Sequence, residues 1–173
     1  MKSKKRKKGI LFWITGLSGS GKTSLAKKIF KFIKKKYGTT IVISGDDIRK
    51  IFEFKKFDKN SRLKYAKSYS KFCKLITDQN INIIFSTVSL YNKVRSWNKK
   101  NIHNYLEIYI EADIKKLIEK KKKRFYRTKL VNIVGKNIQA QFPKKPDIKI
   151  SNTFTKSIDQ LNIELIKKIN LKI

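Results

Sequence analysis

Eight consecutive residues near the start of the chain have the types and spacing of a phosphate-binding loop. Residues 16–23 read Gly-Leu-Ser-Gly-Ser-Gly-Lys-Thr, which fits the pattern G-x-x-x-x-G-K-[ST] between an apolar strand and an amphipathic helix. A chance Gly/Ser turn is the alternative, and the eight matched positions count against it. The residues predicted to bind a nucleotide cofactor are Gly16, Leu17, Ser18, Gly19, Ser20, Gly21, Lys22 and Thr23.

The chemistry of this loop explains its composition. Its glycines let backbone N–H groups turn toward a polyphosphate, where a Cβ would block the approach. Lys22 can bridge the outer phosphates as a catalytic residue, and the Thr23 hydroxyl can ligate Mg²⁺. The sequence therefore predicts ATP and Mg²⁺ as cofactors.

Two acids follow the next predicted strand. An acid at this position can orient Mg²⁺ or accept the proton of an attacking hydroxyl, and we assign both roles to Asp46. Asp46 could also cap a brief helix through Phe52, although for Asp47 the role of a helix cap is the favoured interpretation. Asp46 is thus a predicted catalytic, substrate-binding and metal-binding residue.

Two arginines are candidates for binding an acidic substrate. Arg49 lies one turn after Asp46, where it can pair bidentately with a phosphate or sulfate, the alternative being a solvated surface arginine. Arg62 lies at the start of a predicted helix, and there substrate contact and surface charge are equally good interpretations.

The rest of the chain alternates apolar runs with amphipathic segments, which is the pattern of an α/β fold. Strands are predicted at 10–15, 40–43, 81–87, 105–110 and 147–150, and helices at 23–36, 46–52, 59–78, 113–123 and 157–169. Ser89-Leu90 is predicted to lead into a further helix through Lys100. We predict a P-loop NTPase-type, three-layer fold, in which a doubly wound parallel sheet of about five strands carries helices on both faces. Residues 1–173 form one domain, with a basic tail at 1–8 and a lid at 124–142.

The charge balance of the chain is unusual. It has 44 Lys and Arg against 12 Asp and Glu, a formal net charge of +32. Such an excess can bind nucleic acid or another polyanion, but that interpretation needs the charge to cluster on one face. Because the lysines are spread along the chain, we interpret the charge as a general feature of the amino-acid composition rather than as a binding surface, and we expect no nucleic-acid partner. A basic nucleic-acid-binding protein is kept as the least favoured hypothesis.

The remaining composition bears on location. A single cysteine, Cys73, excludes an internal disulfide framework and suits a reducing cytoplasm. No apolar run is long enough to span a bilayer, so we predict no membrane span and a cytoplasmic location. Cys73 is interpreted as a small apolar residue on a helix, and His103, in a loop with no evident partner, receives no catalytic role.

The ordered series of motifs resembles the adenylylsulfate (APS) kinase family. The strand and loop at 10–23 look like the opening of these kinases, and 45–49, Gly-Asp-Asp-Ile-Arg, is similar to their G-D-N-x-R. Phe57 with Ser61-Arg62 resembles G-F-x-x-x-D-R, and 88–91 stands where the family has I-S-P-F/Y. Residues 132–135 and 143–147 match the lid and the P-x-x-P-D that follows, so the resemblance covers roughly residues 10–152.

The resemblance implies transfer of the γ-phosphoryl of MgATP to the 3′-hydroxyl of adenylylsulfate. Asp46 matches the acid that assists the hydroxyl and the metal, and Arg49 and Arg62 match arginines that hold the sulfate–phosphate end. Phe57 matches the aromatic residue that stacks the base of the substrate. Ser89 matches a substrate-binding serine that is described as a phosphoserine intermediate, so it is also a candidate catalytic residue. The resemblance further implies that Asn132 and Ile133, in the lid, bind the substrate. Since family members are commonly dimers, the resemblance also implies a homodimer.

Several positions depart from the family pattern. Ser44 replaces an aspartate, Leu90 replaces the proline of I-S-P, and Tyr65 stands where the family has a substrate-binding Asn. The run from Cys73 to Trp97-Asn98 looks more like a divergent branch found in surface-polysaccharide gene clusters, where one known activity is cytidine diphosphoramidate kinase. We therefore predict a kinase acting on a nucleotide-like small molecule, most readily adenylylsulfate, with a modified cytidine nucleotide in capsule or surface-glycan synthesis as the alternative.

Overall fold

The computed structural model describes residues 8–119, 134–136 and 138–173, and in these ranges strands and helices alternate. The strands are β1 (Ile10–Gly16), β2 (Thr40–Ser44), β3 (Asn82–Thr87), β4 (Asn104–Glu111) and β5 (Ile148–Ser151). The helices are α1 (Lys22–Tyr37), α2 (Gly45–Ile51), α3 (Lys59–Asp78), α4 (Asn92–Asn101), α5 (Ile114–Glu119) and α6 (Ile158–Asn170).

All five strands are parallel and form one sheet in the order β2-β3-β1-β4-β5. The chain leaves β1 toward one edge of the sheet and later crosses to the other edge through α4. This is the doubly wound arrangement that the alternation of segments predicted, and the prediction is confirmed.

The register brings three loops to one edge of the sheet. Thr15 of β1 is level with Thr87 of β3, and Ser44 of β2 is level with Ser86 of β3. The loops after these strands therefore leave the sheet side by side. Ligands of open parallel sheets bind at such an edge, where neighbouring connections diverge.

Two apolar layers cover the two faces of the sheet. On one face α1 and α6 pack through side chains such as Ile29 and Leu165 against Phe12 and Ile108. On the other face α3 and α4 pack against Trp13 and Phe85, whose rings stack with centroids 5.2 Å apart. The three-layer prediction is confirmed, because both faces of the central strands are buried.

Two buried groups are notable in the second layer. Cys73 lies on α3 and is fully buried, and burial raises the pKa of its thiol well above the ordinary value, so its interpretation as an apolar core residue agrees with the structure. Arg95 of α4 lies with its Nε 3.0 Å from Oε1 of Glu107 on β4, and both side chains are largely buried. In a buried pair of this kind, the free-energy cost of removing both charges from water offsets much of their Coulomb attraction.

Residues 89–91 run as an extended loop in which Tyr91 has a β conformation. Helix α4 begins at Asn92, shortly after the Ser89-Leu90 pair that was predicted to lead into it. The predicted end of the fifth helix, at Lys123, and residues 124–133 and 137 of the predicted lid lie outside the described residues. Within the described part of the chain, no helix is long and apolar enough to cross a membrane.

Candidate active site

A cavity of about 1140 Å³ opens at the carboxyl edge of the sheet, where the loops after β1, β2, β3 and β5 meet. It also takes in one face of α3. The residues predicted from the sequence that line it are Ser18, Gly19, Gly21, Lys22, Thr23, Asp46, Arg49, Phe57, Arg62 and Ser89. The structure thus gathers these residues around one space, while the predicted substrate-binding residues Asn132 and Ile133 lie outside the described residues.

The loop after β1 needs glycine at two positions for different reasons. A Cβ on Gly16 would lie 2.3 Å from the carbonyl oxygen of Ile110, so the neighbouring strand leaves no room for a side chain. Gly21 has a φ of 97° and forms the left-handed N-cap of α1, a conformation that L side chains rarely adopt. The helix therefore starts directly behind the loop, with its N-terminal N–H groups facing the cavity.

Three hydrogen bonds hold the phosphate-binding loop in shape. The Ser20 N–H donates to the Leu17 carbonyl at 3.2 Å, and the Lys22 ammonium donates to the same carbonyl at 2.6 Å. From outside the loop, Nδ2 of Asn152, just after β5, donates to the Ser20 carbonyl at 3.0 Å. Asn152, from the C-terminal part of the chain, therefore helps to hold the loop in its conformation.

Oxygen atoms suited to Mg²⁺ lie at the start of α1 and in α2. The Thr23 hydroxyl lies 3.4 Å from the hydroxyl of Ser86 at the end of β3, and Asp46 exposes its carboxylate to the cavity in the first turn of α2. No group of three or more acidic, His or Cys side chains that could hold a metal occurs within the described residues. A few protein oxygens still fit Mg²⁺, which keeps several waters and takes its other ligands from phosphates.

Asp46 and Asp47 have different roles in the structure. Ser44, not Asp46, is the N-cap of α2, so the prediction that Asp46 caps this helix was wrong. The Ser44 hydroxyl accepts from the Asp47 N–H, and Asp47 accepts from the Ser44 N–H at 2.9 Å in a capping box. These bonds from Ser44 lower the pKa of Asp47, which confirms its predicted structural role. They leave the Asp46 carboxylate available to the cavity.

Arg49, Arg62 and Phe57 form a cationic corner of the cavity. The guanidinium carbons of Arg49 and Arg62 lie 4.6 and 5.3 Å from the centroid of the Phe57 ring. Nε of Arg62 donates to the Phe57 carbonyl at 2.6 Å, which ties the loop to α3. Burial, and then the nearby charge of Arg49, lower the pKa of Arg62.

The Arg49 side chain has unused donors. Its Nε and Nη1 atoms are buried and have no hydrogen-bond partner within the described residues. Two neighbouring guanidinium groups repel each other, and an anion between them would remove that repulsion and satisfy the donors. The corner therefore has the charge and the free donors that a phosphate, a sulfate or a similar group would need.

The loop after β3 presents Ser89 to the cavity. Ser89 is 3% exposed, its hydroxyl has no hydrogen-bond partner in the described part of the chain, and its carbonyl accepts from the Thr15 hydroxyl. Gln141 fixes the next residues, because its N–H donates to the Leu90 carbonyl at 2.9 Å and its side chain accepts from the Asn92 N–H at 2.7 Å. No histidine lies nearby, since His103 is exposed and does not line the cavity.

Sequence reasoning missed several residues of the site. Asn152 and Phe154, after β5, line the cavity beside the phosphate-binding loop, and Tyr69 and Tyr91 line it near the arginines. Asn152 was visible as a polar residue directly after the last strand, where ligands of parallel sheets bind. Tyr69 and Tyr91 gave no such signal, since aromatic residues at helical spacing usually belong to a core.

Comparison with known proteins agrees with this arrangement. Residues 8–151 match the family described as adenylylsulphate kinase. The cytidine diphosphoramidate kinase of Campylobacter jejuni is 33% identical over 165 residues, covering 93% of this chain and 96% of that protein. A probable adenylyl-sulfate kinase of Pyrococcus abyssi is 28% identical over 84% of this chain and 86% of its own length.

A solved structure shows the same fold. The APS kinase of Mycobacterium tuberculosis, in complex with AMPPNP and APS, superposes with a TM-score of 0.82 at 23% identity, covering 94% of this chain and 98% of that one. Together with the match over residues 8–151, these findings place the chain among the nucleotide-binding kinases: it belongs to the adenylylsulphate kinase family.

Proposed function

We propose that the chain transfers the γ-phosphoryl group of MgATP to a hydroxyl of a small nucleotide that carries a second acidic group next to its phosphate. The observation that carries this proposal is the cavity itself. It joins the phosphate-binding loop, on one side, to Asp46 and the cationic corner of Arg49 and Arg62 on the other. Such a space can hold a donor and an acceptor with their reacting groups facing each other.

Each residue has a chemical role in this proposal. Thr23 and Asp46 would hold Mg²⁺, which neutralises phosphate charge when bound. Lys22 exchanges its bond to the Leu17 carbonyl for the outer phosphates, Asp46 accepts the proton of the acceptor hydroxyl, and Arg49 and Arg62 hold the acidic end of the acceptor.

Ser89 in this account binds the acceptor rather than carrying a phosphoryl group. Direct displacement between two bound nucleotides needs positioning and charge neutralisation, with no protein nucleophile. A serine nucleophile requires a base within hydrogen-bond reach, and the Ser89 hydroxyl has none in the described part of the chain. Its buried, unpaired hydroxyl is better suited to hydrogen bonding with a substrate.

For the acceptor we rank a cytidine diphosphoramidate ahead of adenylylsulfate, the compound that the sequence prediction placed first. The support is the Campylobacter jejuni relative, which is 33% identical over nearly the whole of both chains, against 28% for the probable adenylyl-sulfate kinase of Pyrococcus abyssi. The cationic corner accepts either compound, because arginines bind sulfate, phosphate and phosphoramidate oxygens alike.

Coupled ADP release tests this proposal. The purified chain is given MgATP with cytidine diphosphoramidate or with adenylylsulfate at matched concentrations. We expect turnover that depends on the acceptor, with a kcat/KM for the cytidine compound at least tenfold above that for adenylylsulfate. The reverse order would overturn the ranking, and folded, ATP-binding protein that turns over neither compound would overturn the acceptor class.

Two further properties stay predictions from the sequence. A homodimer is expected from the family resemblance, and light scattering of the purified chain measures it directly. A cytoplasmic location is expected from the single cysteine.

A further inference from the structure

One face of α3 turns four residues toward the cavity. Arg62, Tyr65, Ala66 and Tyr69 all line it, at the spacing that places residues on one side of a helix. Arg62 has a role in holding the acidic end of the acceptor, and Ala66 is small. Tyr65, the half-buried residue between them, has no role in the chemistry described above.

Stacked rings hold Tyr65 in place. Its ring lies parallel to that of Phe54, with centroids 4.1 Å apart and an interplanar angle of 4°. Phe54 in turn stacks on Phe52 at 5.7 Å and lies 6.5 Å from Tyr69. Tyr65 therefore cannot rotate away from the cavity without breaking a stack that continues through two further side chains.

This stack decides which part of Tyr65 a ligand meets. Because Phe54 covers one face of the ring, a ligand in the cavity can reach Tyr65 only at its other face, its edge or its hydroxyl. Phe57 differs, since its ring is 47% exposed and lies beside two guanidinium groups rather than in a stack of rings.

We propose that Tyr65 determines the base preference of the acceptor site, by forming a fixed wall that admits a one-ring pyrimidine and excludes a two-ring purine. Phe57 can stack any base, because every base offers a flat face, so the selection must come from another group. A wall held by packing rejects extra atoms, since admitting them would force its neighbours out of their preferred positions. This inference rests on the proposed function, because it places the acceptor base in this half of the cavity.

The substitution Tyr65→Asn tests the wall directly, since it puts in the smaller residue that the family pattern has at this position. The donor side is saturated with a non-hydrolysable ATP analogue, and binding of cytidine diphosphoramidate and adenylylsulfate is measured by calorimetry. We expect Tyr65→Asn to shift the ratio of the two dissociation constants at least tenfold toward adenylylsulfate. Tyr65→Phe keeps the bulk and should leave the ratio within about threefold of the wild-type value.

Phe54→Leu provides a second variant in case Tyr65→Asn fails to fold. It leaves Tyr65 intact but removes the ring stacked on it, and should shift the ratio in the same direction by a smaller factor. An unchanged ratio in Tyr65→Asn, or an equal shift in Tyr65→Phe, would overturn the inference while leaving the proposed function intact. Wild-type protein that binds the ATP analogue and neither acceptor would overturn both.

Discussion

The two halves of the cavity are built in different ways. The proposed donor half is one short segment, 16–23, which offers backbone N–H groups and Lys22 to a polyphosphate. Its shape is held by bonds to the Leu17 and Ser20 carbonyls. The acceptor half is assembled from side chains of α2, α3 and the loop after β3. Several of its polar atoms are buried without partners in the described part of the chain, including Nε and Nη1 of Arg49, Oγ of Ser89 and the Tyr91 hydroxyl.

Acceptor specificity therefore depends on side chains rather than on the backbone. A loop of backbone N–H groups binds the phosphates common to all nucleoside triphosphates and leaves little room for variation. Side chains contributed by separate elements can each be exchanged, and unpaired buried donors gain most when a matching ligand binds. We therefore expect changes at Lys22 and Asp46, which act on the transferred group, to lower the rate of transfer. Changes at the other acceptor-side residues, such as Arg49 and Tyr65, should instead alter acceptor affinity and choice.

Lys22→Ala is expected to have one of the two largest effects. Loss of this ammonium should remove about 3–5 kcal/mol of transition-state stabilisation, the size of a major electrostatic contact. Steady-state kinetics with saturating acceptor measure it, with Lys31→Ala, an exposed lysine of the same helix, as the matched control. Near-wild-type transfer by folded Lys22→Ala protein would contradict the assignment of the donor half.

Asp46 and Asp47 allow a test within two neighbouring residues. Asp46→Asn should lower kcat by about 10²–10⁴-fold, the contribution typical of a general base, with little change in the melting temperature. Asp47→Ala removes half of a capping box instead, so it should reduce stability by about 1 kcal/mol and retain kcat. The same loss of kcat in both variants would show that α2 acts only as a structural unit.

Arg49→Ala should act on the acceptor alone. Its guanidinium supplies charge-assisted hydrogen bonds worth about 1.5–3 kcal/mol, so the KM for the acceptor should rise roughly 10–100-fold while that for ATP stays unchanged. Lys50→Ala removes a neighbouring exposed charge and serves as the control. If both KM values rise together, the two halves are not independent.

A smaller effect, outside the cavity, concerns Glu107. Burial raises its pKa to about 7, against the attraction of Arg95. A carboxyl whose pKa is higher in the folded than in the unfolded state binds extra protons on folding. Its contribution to the free energy of unfolding is therefore fully present below pH 4.5 and is lost as the pH rises to about 7. Its contribution should fall by roughly 1–3 kcal/mol over that interval.

Denaturant unfolding at pH 5 and pH 7.5 tests this prediction. The fall in unfolding free energy should be smaller in Glu107→Gln than in the wild type. Glu111→Gln serves as the control, because hydrogen bonds from Lys149 and Ser151 lower the pKa of Glu111 and its effect lies at more acidic pH. Equal falls in wild type and Glu107→Gln would show that Glu107 does not titrate in this range.

The sequence predicted the fold around the phosphate-binding loop well because its signal is local. Eight adjacent residues between a strand and a helix define the loop, and the alternation of segments defines the sheet. The roles of Asp46 and Asp47 were separable only in part. That Ser44 is the cap depends on which residue ends β2, and strand ends are poorly marked in the sequence.

The acceptor half was harder to predict because its residues meet only through the fold. Tyr65 and Phe54 are eleven positions apart, and their stack depends on how the loop before α3 turns back onto that helix. Gln141 hydrogen-bonds Leu90 and Asn92, which lie about fifty positions earlier in the chain. The types of these residues give no indication of the contact. Such contacts follow from tertiary packing, which overrides local pattern.

In the proposed function both substrates lie in one cavity and react without a phosphorylated protein intermediate. A single-turnover experiment with γ-labelled ATP tests this, with the wild type and Ser89→Ala each mixed with ATP alone and then with cytidine diphosphoramidate or adenylylsulfate. We expect no labelled protein with ATP alone, label on an acceptor once it is added, and measurable transfer by Ser89→Ala. Labelled protein formed from ATP alone, and lost in Ser89→Ala, would contradict direct transfer.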